Sequence, residues 1–230
     1  MTPGRKKASP VARRRDRERG QRRDSILRAA ERVFADRGFA QTTMDQVAEA
    51  AELSKGTLYL YFKNKDDLFI GLSNCMIEQF LERFEAVLAE GGTGIDMVER
   101  MLRAYGELVA GNPDHFRTTV VWMVSGQEED HSTPEFKAHR AKVSRLVGAM
   151  VEAMKRGQRD GSIRRDISVE QTAFQVWSGA LGCMQIQVNR KQMMRRFPQP
   201  VDFDRFYPGF IRILCDGLRP PARSTPRRTR

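Results

Sequence analysis

The chain has 230 residues, 40% of them hydrophobic, with no apolar run approaching the length of a membrane span; it can bury a core and gives no reason to invoke a bilayer. A net charge of +11 and a pI near 10.1 point to a polyanionic partner. Cys75, Cys183 and Cys215 lie far apart and form no CxxC pair, which argues against a disulfide framework and for buried thiols in a reducing cytoplasm.

The charge is unevenly placed. Residues 1–23 carry ten Lys/Arg against Asp16 and Glu18, and residues 219–230 carry five arginines and no acid. With +8 and +5 on the tails, the 195 residues between them are left at −2. Residues 1–23 have no apolar stretch that would make a secretory signal, and their composition predicts a basic, disordered arm. Such an arm is either a solvating tail or a segment that follows phosphates or enters a minor groove; both readings stay open. Residues 219–230 form a second basic tail.

A first helix is expected over 24–37, with Ile26, Leu27, Ala30, Val33 and Phe34 on its buried stripe and Gly38 as its stop. Thr43 and Gln46 then form a capping box for a short helix whose apolar face is Met44, Val47, Ala48 and Ala51. A second short helix restarts at Ser54, an N-cap, with Leu58 and Phe62 turned inward. Its other side presents Lys55, Gly56, Thr57, Tyr59 and Tyr61: a cation, a hydroxyl, two phenols, a glycine and no acid. Short donors at a helix N-terminus suit base edges, and Tyr or Lys suit phosphates, so the pair is a candidate helix-turn-helix. Asn64 caps a long third element with Asp66 and Asp67 in its first turn. Lys65 opposes the helix dipole there, which is explained if it holds a phosphate.

From Ile26 to Leu72 the chain resembles the DNA-binding domain of the TetR/AcrR family of bacterial transcriptional regulators. The resemblance rests on Ala30, Phe34, Gly38-Phe39, Thr42-Thr43-Met44, Val47, Ala48, Ala51, Ser54-Lys55-Gly56-Thr57-Leu58-Tyr59, Tyr61-Phe62, Lys65 and Leu68. Glu52 departs from it, since the family usually has Gly in that turn. The resemblance implies an all-α protein: a three-helix helix-turn-helix domain over 24–70, joined by a long helix to an all-helical ligand-binding and dimerisation domain over 71–218. Thr43, Ser54, Lys55, Gly56, Thr57, Tyr59, Tyr61 and Lys65 are the expected DNA contacts.

The long helix continues through Leu72, Cys75, Phe80 and Phe84 to Gly91-Gly92, and further helices are expected over 94–111, 113–126, 134–156, 168–196 and 203–217. Thr133 before Pro134 is a clean start signal. The helix over 168–196 is apolar on more than one face, and so is the last, which suggests a homodimer through these two helices. Bulky apolar residues in this domain are either plain core or, as the resemblance implies, the lining of an effector pocket. The candidates are Phe80, Phe84, Met101, Tyr105, Phe116, Trp122, Met123, Met150, Phe174, Trp177 and Met184, with Gln175, Gln185 and Gln187 as candidate inward polar groups.

His115, His131 and His139 fit no metal-ligand spacing, although His131 follows Glu128-Glu129-Asp130. No P-loop, nucleophile elbow or dinucleotide fingerprint is present, so no catalytic residue, metal or cofactor is expected. The expected function is a cytoplasmic repressor, binding a palindromic double-stranded operator as a homodimer and released by a small, mostly apolar effector. The rivals are a sequence-tolerant nucleic-acid-coating protein driven by the basic tails, and a helical enzyme or ligand carrier with a vestigial DNA-binding head.

Overall fold

The computed structural model describes residues 9–124, 133–196 and 200–221. Ten helices and no strand are found among them: α1 Pro10–Arg37, α2 Met44–Ala50, α3 Lys55–Tyr59, α4 Lys65–Glu90, α5 Gly94–Gly111, α6 Pro113–Val124, α7 Pro134–Asp160, α8 Val169–Val188, α9 Arg190–Arg196 and α10 Phe203–Leu218. The architecture is therefore the all-helical one expected, a helix-turn-helix head followed by a larger helical domain.

The helix ends are set by neighbouring side chains. Thr43 Oγ1 accepts the Gln46 N–H while Gln46 Oε1 accepts the Thr43 N–H, closing the capping box of α2. Ser54, Asn64, Thr93, Thr133 and Ser168 each accept a backbone N–H from the first turn of the helix that follows. Gly161, in the left-handed region at φ 80°, ends α7.

Three boundaries differ from the sequence reading. Helix α1 begins at Pro10, so residues 10–23 are helical rather than a disordered arm. Arg, Gln, Glu and Ala are strong helix formers, and Arg14 pairs with Glu18 one turn on at 2.8 Å; high charge argues against burial, not against a solvated helix. Residues 1–8 and most of the C-terminal tail lie outside the described residues. Helix α7 runs past Gly157 to Asp160, because Gly157 is a packing point and not a stop. The helix expected over 168–196 breaks after Val188, where the Asn189 side chain donates to the Gln185 carbonyl at 2.8 Å and competes with the helical ladder.

Two apolar cores result. The head core holds Ile26, Leu27, Phe34, Phe39, Val47, Leu58, Phe62 and Phe69. The other core, formed by α4, α5, α7, α8 and α10, holds Met97, Val98, Met101, Met150, Met154, Ile163, Val176, Met184 and Ile211.

Candidate nucleic-acid interface and effector domain

The short helix α3 is anchored by Leu58, which is fully buried, and by Phe62 just beyond it. That leaves Ser54, Lys55, Gly56 and Tyr59 exposed and Thr57 half-buried. Ser54 Oγ accepts the Thr57 N–H at 3.2 Å and lies 2.8 Å from the Thr57 hydroxyl, so two small polar groups are held side by side at the helix start. Lys55 reaches Asp45 on α2 at 2.7 Å, and hydrogen bonding to that carboxylate raises its pKa. Both partners are exposed, so this pair orients Lys55 more than it stabilises the head. A Cβ on Gly56 would meet nothing within 4 Å. A helical glycine costs about 0.5–1 kcal/mol relative to alanine, and no close approach among the described residues requires this one.

Two of the expected DNA contacts are otherwise engaged. Tyr61 is half-buried against the head core rather than on the open face, because α3 ends at Tyr59 and the chain turns before Tyr61. Lys65 donates to the carbonyls of Phe39 at 2.8 Å and Ala40 at 3.2 Å, with its ammonium 4.5 Å from the Phe39 ring centroid. It ties the start of α4 to the α1–α2 connection, which accounts for a cation at that N-terminus without a phosphate.

The expected effector pocket is divided among three places. Phe80, Phe84, Met101, Phe116, Met150 and Met184 are buried in the second core, with Tyr105 stacked on Phe80 at 5.2 Å. Phe174 and Trp177 are 64% and 37% exposed and touch each other on the outside of α8. They belong to the outward stripe of that helix, not to its pocket-facing one, and Gln175 is exposed with them. Met123 is exposed as well. Trp122 belongs to the head: its ring lies 5.0 Å from Phe69, and its indole N–H donates to Asp66 Oδ1 at 3.2 Å. Gln185 and Gln187 do face inward, and each has a buried Oε1 with no hydrogen-bond partner.

The seam between head and second domain was missed from the sequence. Besides Trp122, Arg23 sits 5.4 Å from the Phe62 ring centroid and makes a bidentate pair with Glu135 of α7, at 2.7 and 3.2 Å. Buried Asn74 donates to the Glu135 carbonyl at 3.2 Å, and Lys142 pairs with Glu78. A signal existed: Arg23 shares the helical stripe of Ile26, Leu27, Ala30 and Phe34, an odd place for a solvated arginine. Arg23, Cys75, Glu78, Glu82 and Lys142 border an open cleft of about 640 Å³ along this seam. Of the three cysteines expected to be buried only Cys215 is: Cys183 is half-buried, and Cys75 is exposed at the cleft edge, where partial desolvation still raises its thiol pKa despite Arg23 and Lys142.

Among the described residues no group of three or more His, Cys, Asp or Glu could hold a metal, and no helix is long and apolar enough to cross a membrane. The Glu128-Glu129-Asp130-His131 run lies outside the described residues.

Residues 26–72 match the family described as bacterial regulatory proteins, tetR family. The chain is similar to the fatty acid metabolism regulator protein of Bacillus subtilis (strain 168), at 36% identity over 87 residues, which is 38% of this chain and 45% of that protein. It is also similar to the HTH-type transcriptional repressor KstR2 of Mycolicibacterium smegmatis, at 25% identity over 65% of this chain and 71% of that one. Among solved structures, the transcriptional regulator FadR of Bacillus subtilis in complex with stearoyl-CoA superposes with a TM-score of 0.67 at 21% identity, covering 84% of this chain and 98% of that one. The match to the first of these relatives thus spans less than half of its length, while the fold likeness spans nearly all of the solved structure.

Proposed function

The chain belongs to the TetR family of bacterial regulatory proteins, and from that premise we propose that it is a cytoplasmic transcriptional repressor, gripping a palindromic operator as a homodimer and letting go when a small, mostly apolar effector enters the helical domain. The observation that supports DNA recognition most directly is Gly56. It sits on an exposed helical face, weakens its own helix and has no neighbour among the described residues that needs the space. A groove wall approaching α3 gives it a use. Thr57 and Lys55 then lie beside it near the base edges, while Ser54, Tyr59 and Thr43 fall where phosphates run. Lys65 contributes by holding the α1–α2 connection against the start of α4.

Two reading heads need a fixed separation. The outer faces of α8 and α10, with Phe174, Trp177 and Ile213 at 64%, 37% and 75% exposure, support a two-fold contact there. Release requires an effector that prefers the DNA-incompetent arrangement. Helix α4 passes from the head into the second domain without interruption, and Trp122 of α6 is inserted into the head core, so a shift of either helix displaces α3.

The test uses DNA fragments captured from a genomic library by the purified protein. Gly56→Ala raises thermal stability while lowering affinity for the captured fragment about tenfold or more, and Thr57→Ala lowers the preference for that fragment over a scrambled duplex. Unchanged affinity in both variants removes the assignment of α3. In a transcription assay from a promoter overlapping the fragment, added protein reduces transcript; a rise reverses the sign of regulation.

A further inference from the structure

The second domain has an opening where α5 finishes, α6 starts and α8 gives way to α9. A cleft of about 490 Å³ lies there. Its floor is Met184, which is 2% exposed and belongs to the domain's apolar core; one unbranched thioether side chain thus separates the cleft from that core. Val188 continues the apolar wall. The rim is cationic, with Arg117, Arg190 and Lys191, and no residue lining the cleft is acidic. Arg117 is partly committed, to Asp114 at 2.5 Å and to the Val188 carbonyl at 3.0 Å. Arg190 and Lys191 are exposed and have no acidic partner among the described residues.

Gln187 supplies an independent sign of a ligand. Its side-chain N–H donates to the Phe203 carbonyl at 3.0 Å, which fixes the amide and leaves its Oε1 buried and unpartnered beside the cleft. A buried acceptor without a donor is disfavoured, and no donor among the described residues meets this one. A wholly apolar ligand would leave that acceptor and the rim unused. A small hydrophilic anion would leave the apolar floor unused.

We infer that this cleft is the entrance and head-group site for an amphiphilic organic anion, a carboxylate or phosphate on an aliphatic tail. The head rests against Arg190 and Lys191, a donor close to the head meets Gln187 Oε1, and the tail displaces the Met184 side chain to enter the core. The inference rests on the effector reading above and narrows it from an apolar molecule to one with a charged end.

The test is calorimetric titration of the full-length chain with dodecyl phosphate, dodecanoate and dodecanol, all below their micelle concentrations. Both anions bind about tenfold or more tightly than the alcohol at close to one per chain, and the tighter anion identifies the head group. Arg190→Gln with Lys191→Gln, both exposed and harmless to folding, removes that tenfold difference and leaves dodecanol unaffected. Gln187→Leu, with its fold checked by circular dichroism, weakens only ligands that carry a donor by the head. Equal binding of alcohol and anions, anion affinity unchanged in the double variant, or uptake of many molecules per chain would overturn the site. Release of the captured DNA fragment is scored separately. Anion binding without release overturns the effector reading and keeps the site; release without head-group discrimination does the reverse.

Discussion

The head and the second domain are both helical, yet they are held together differently. In the head, the short helices α2 and α3, of seven and five residues, meet through tight turns, and α2, α3 and α4 are each started by a side chain bonding three residues along the chain. Its core is aromatic, with Phe34, Phe39, Phe69 and Trp122 at centroid distances of 5.0 to 6.2 Å. The second domain packs long helices whose contacts join residues far apart in sequence, around Met97, Met101, Met150, Met154 and Met184. Where these helices come closest, glycines set the distance. Gly94 meets the backbone of Gly157, Gly106 meets the Tyr207 ring and Gly179 meets the Phe210 ring. The difference suits the two tasks proposed above: a stiff ring-packed head would keep α3 in one geometry, and a methionine core is adaptable enough to reshape around a guest.

Breaking the second domain should be easiest at those glycines. A Cβ on Gly94 would overlap the backbone N and Cα of Gly157 and lie 2.6 Å from the Ala153 carbonyl oxygen, none of which can rotate away. Gly94→Ala should therefore cost about 3 kcal/mol or more, read from urea unfolding. The same substitution at Gly56, where the added methyl meets open space, should change sign and stabilise slightly. Equal effects at the two sites would remove the contrast between them.

Acid sharpens the comparison next. His115 of α6 is buried in the second domain, and burial lowers its pKa from 6.5 to about 4. Its folded-state pKa is depressed, so its contribution is complete above pH 6.5 and is lost as pH falls towards 4, where the unfolded chain binds a proton that the folded chain refuses. The loss approaches about 3 kcal/mol at the acid end. His139, at the seam, is shifted the same way by burial and by Lys142. His115→Leu should flatten much of the stability decline between pH 6.5 and 4; an unchanged slope assigns the decline to carboxylates instead.

The seam gives a smaller effect. Trp122→Phe keeps a ring against Phe69 but loses the hydrogen bond to Asp66, for about 1–2 kcal/mol. If the seam carries coupling, this variant also needs more effector to release the captured fragment. Loss of stability with unchanged release would place coupling on α4 alone.

The head was legible because its signals are local. The capping box at Thr43, the cap at Ser54 and the inward pair Leu58 and Phe62 are all set by neighbours a few positions away, and the structure has each of them. What is not legible is a partner distant in sequence. Lys65 opposes the α4 dipole, and only the fold shows that the Phe39 and Ala40 carbonyls, 26 and 25 positions earlier, accept from it. Trp122 looked like pocket lining because its hydrophobicity says that it is buried and not in which core. Phe174 and Trp177 share a helix with truly buried Val176 and Ala180, and only the placement of α10 shows which stripe faces out. Residues 10–23 read as an arm from their polar, proline-containing, basic composition, although their helix propensity is equally visible.

The smallest expected effect bears on the one residue that departs from the family's usual turn. Glu52 sits at φ 56°, in the left-handed region, between a Glu52 N–H to Glu49 carbonyl bond of 3.0 Å and a Leu53 N–H to Ala48 carbonyl bond of 2.9 Å. A Cβ there is unfavourable by about 1–2 kcal/mol, whereas glycine adopts the conformation freely but loses more chain entropy on folding. Glu52→Gly should therefore stabilise the head by about 0.5–1 kcal/mol, without moving α3, whose approach is already fixed by those two bonds. The substitution also removes a negative charge near the expected DNA face, so affinity for any duplex should rise a little at low salt. Glu52→Gln separates the two causes, because it removes the charge and keeps the Cβ. It should match the glycine variant in DNA affinity and the wild type in stability. A glycine variant no more stable than Glu52→Gln would mean that this turn does not hold the left-handed geometry in solution.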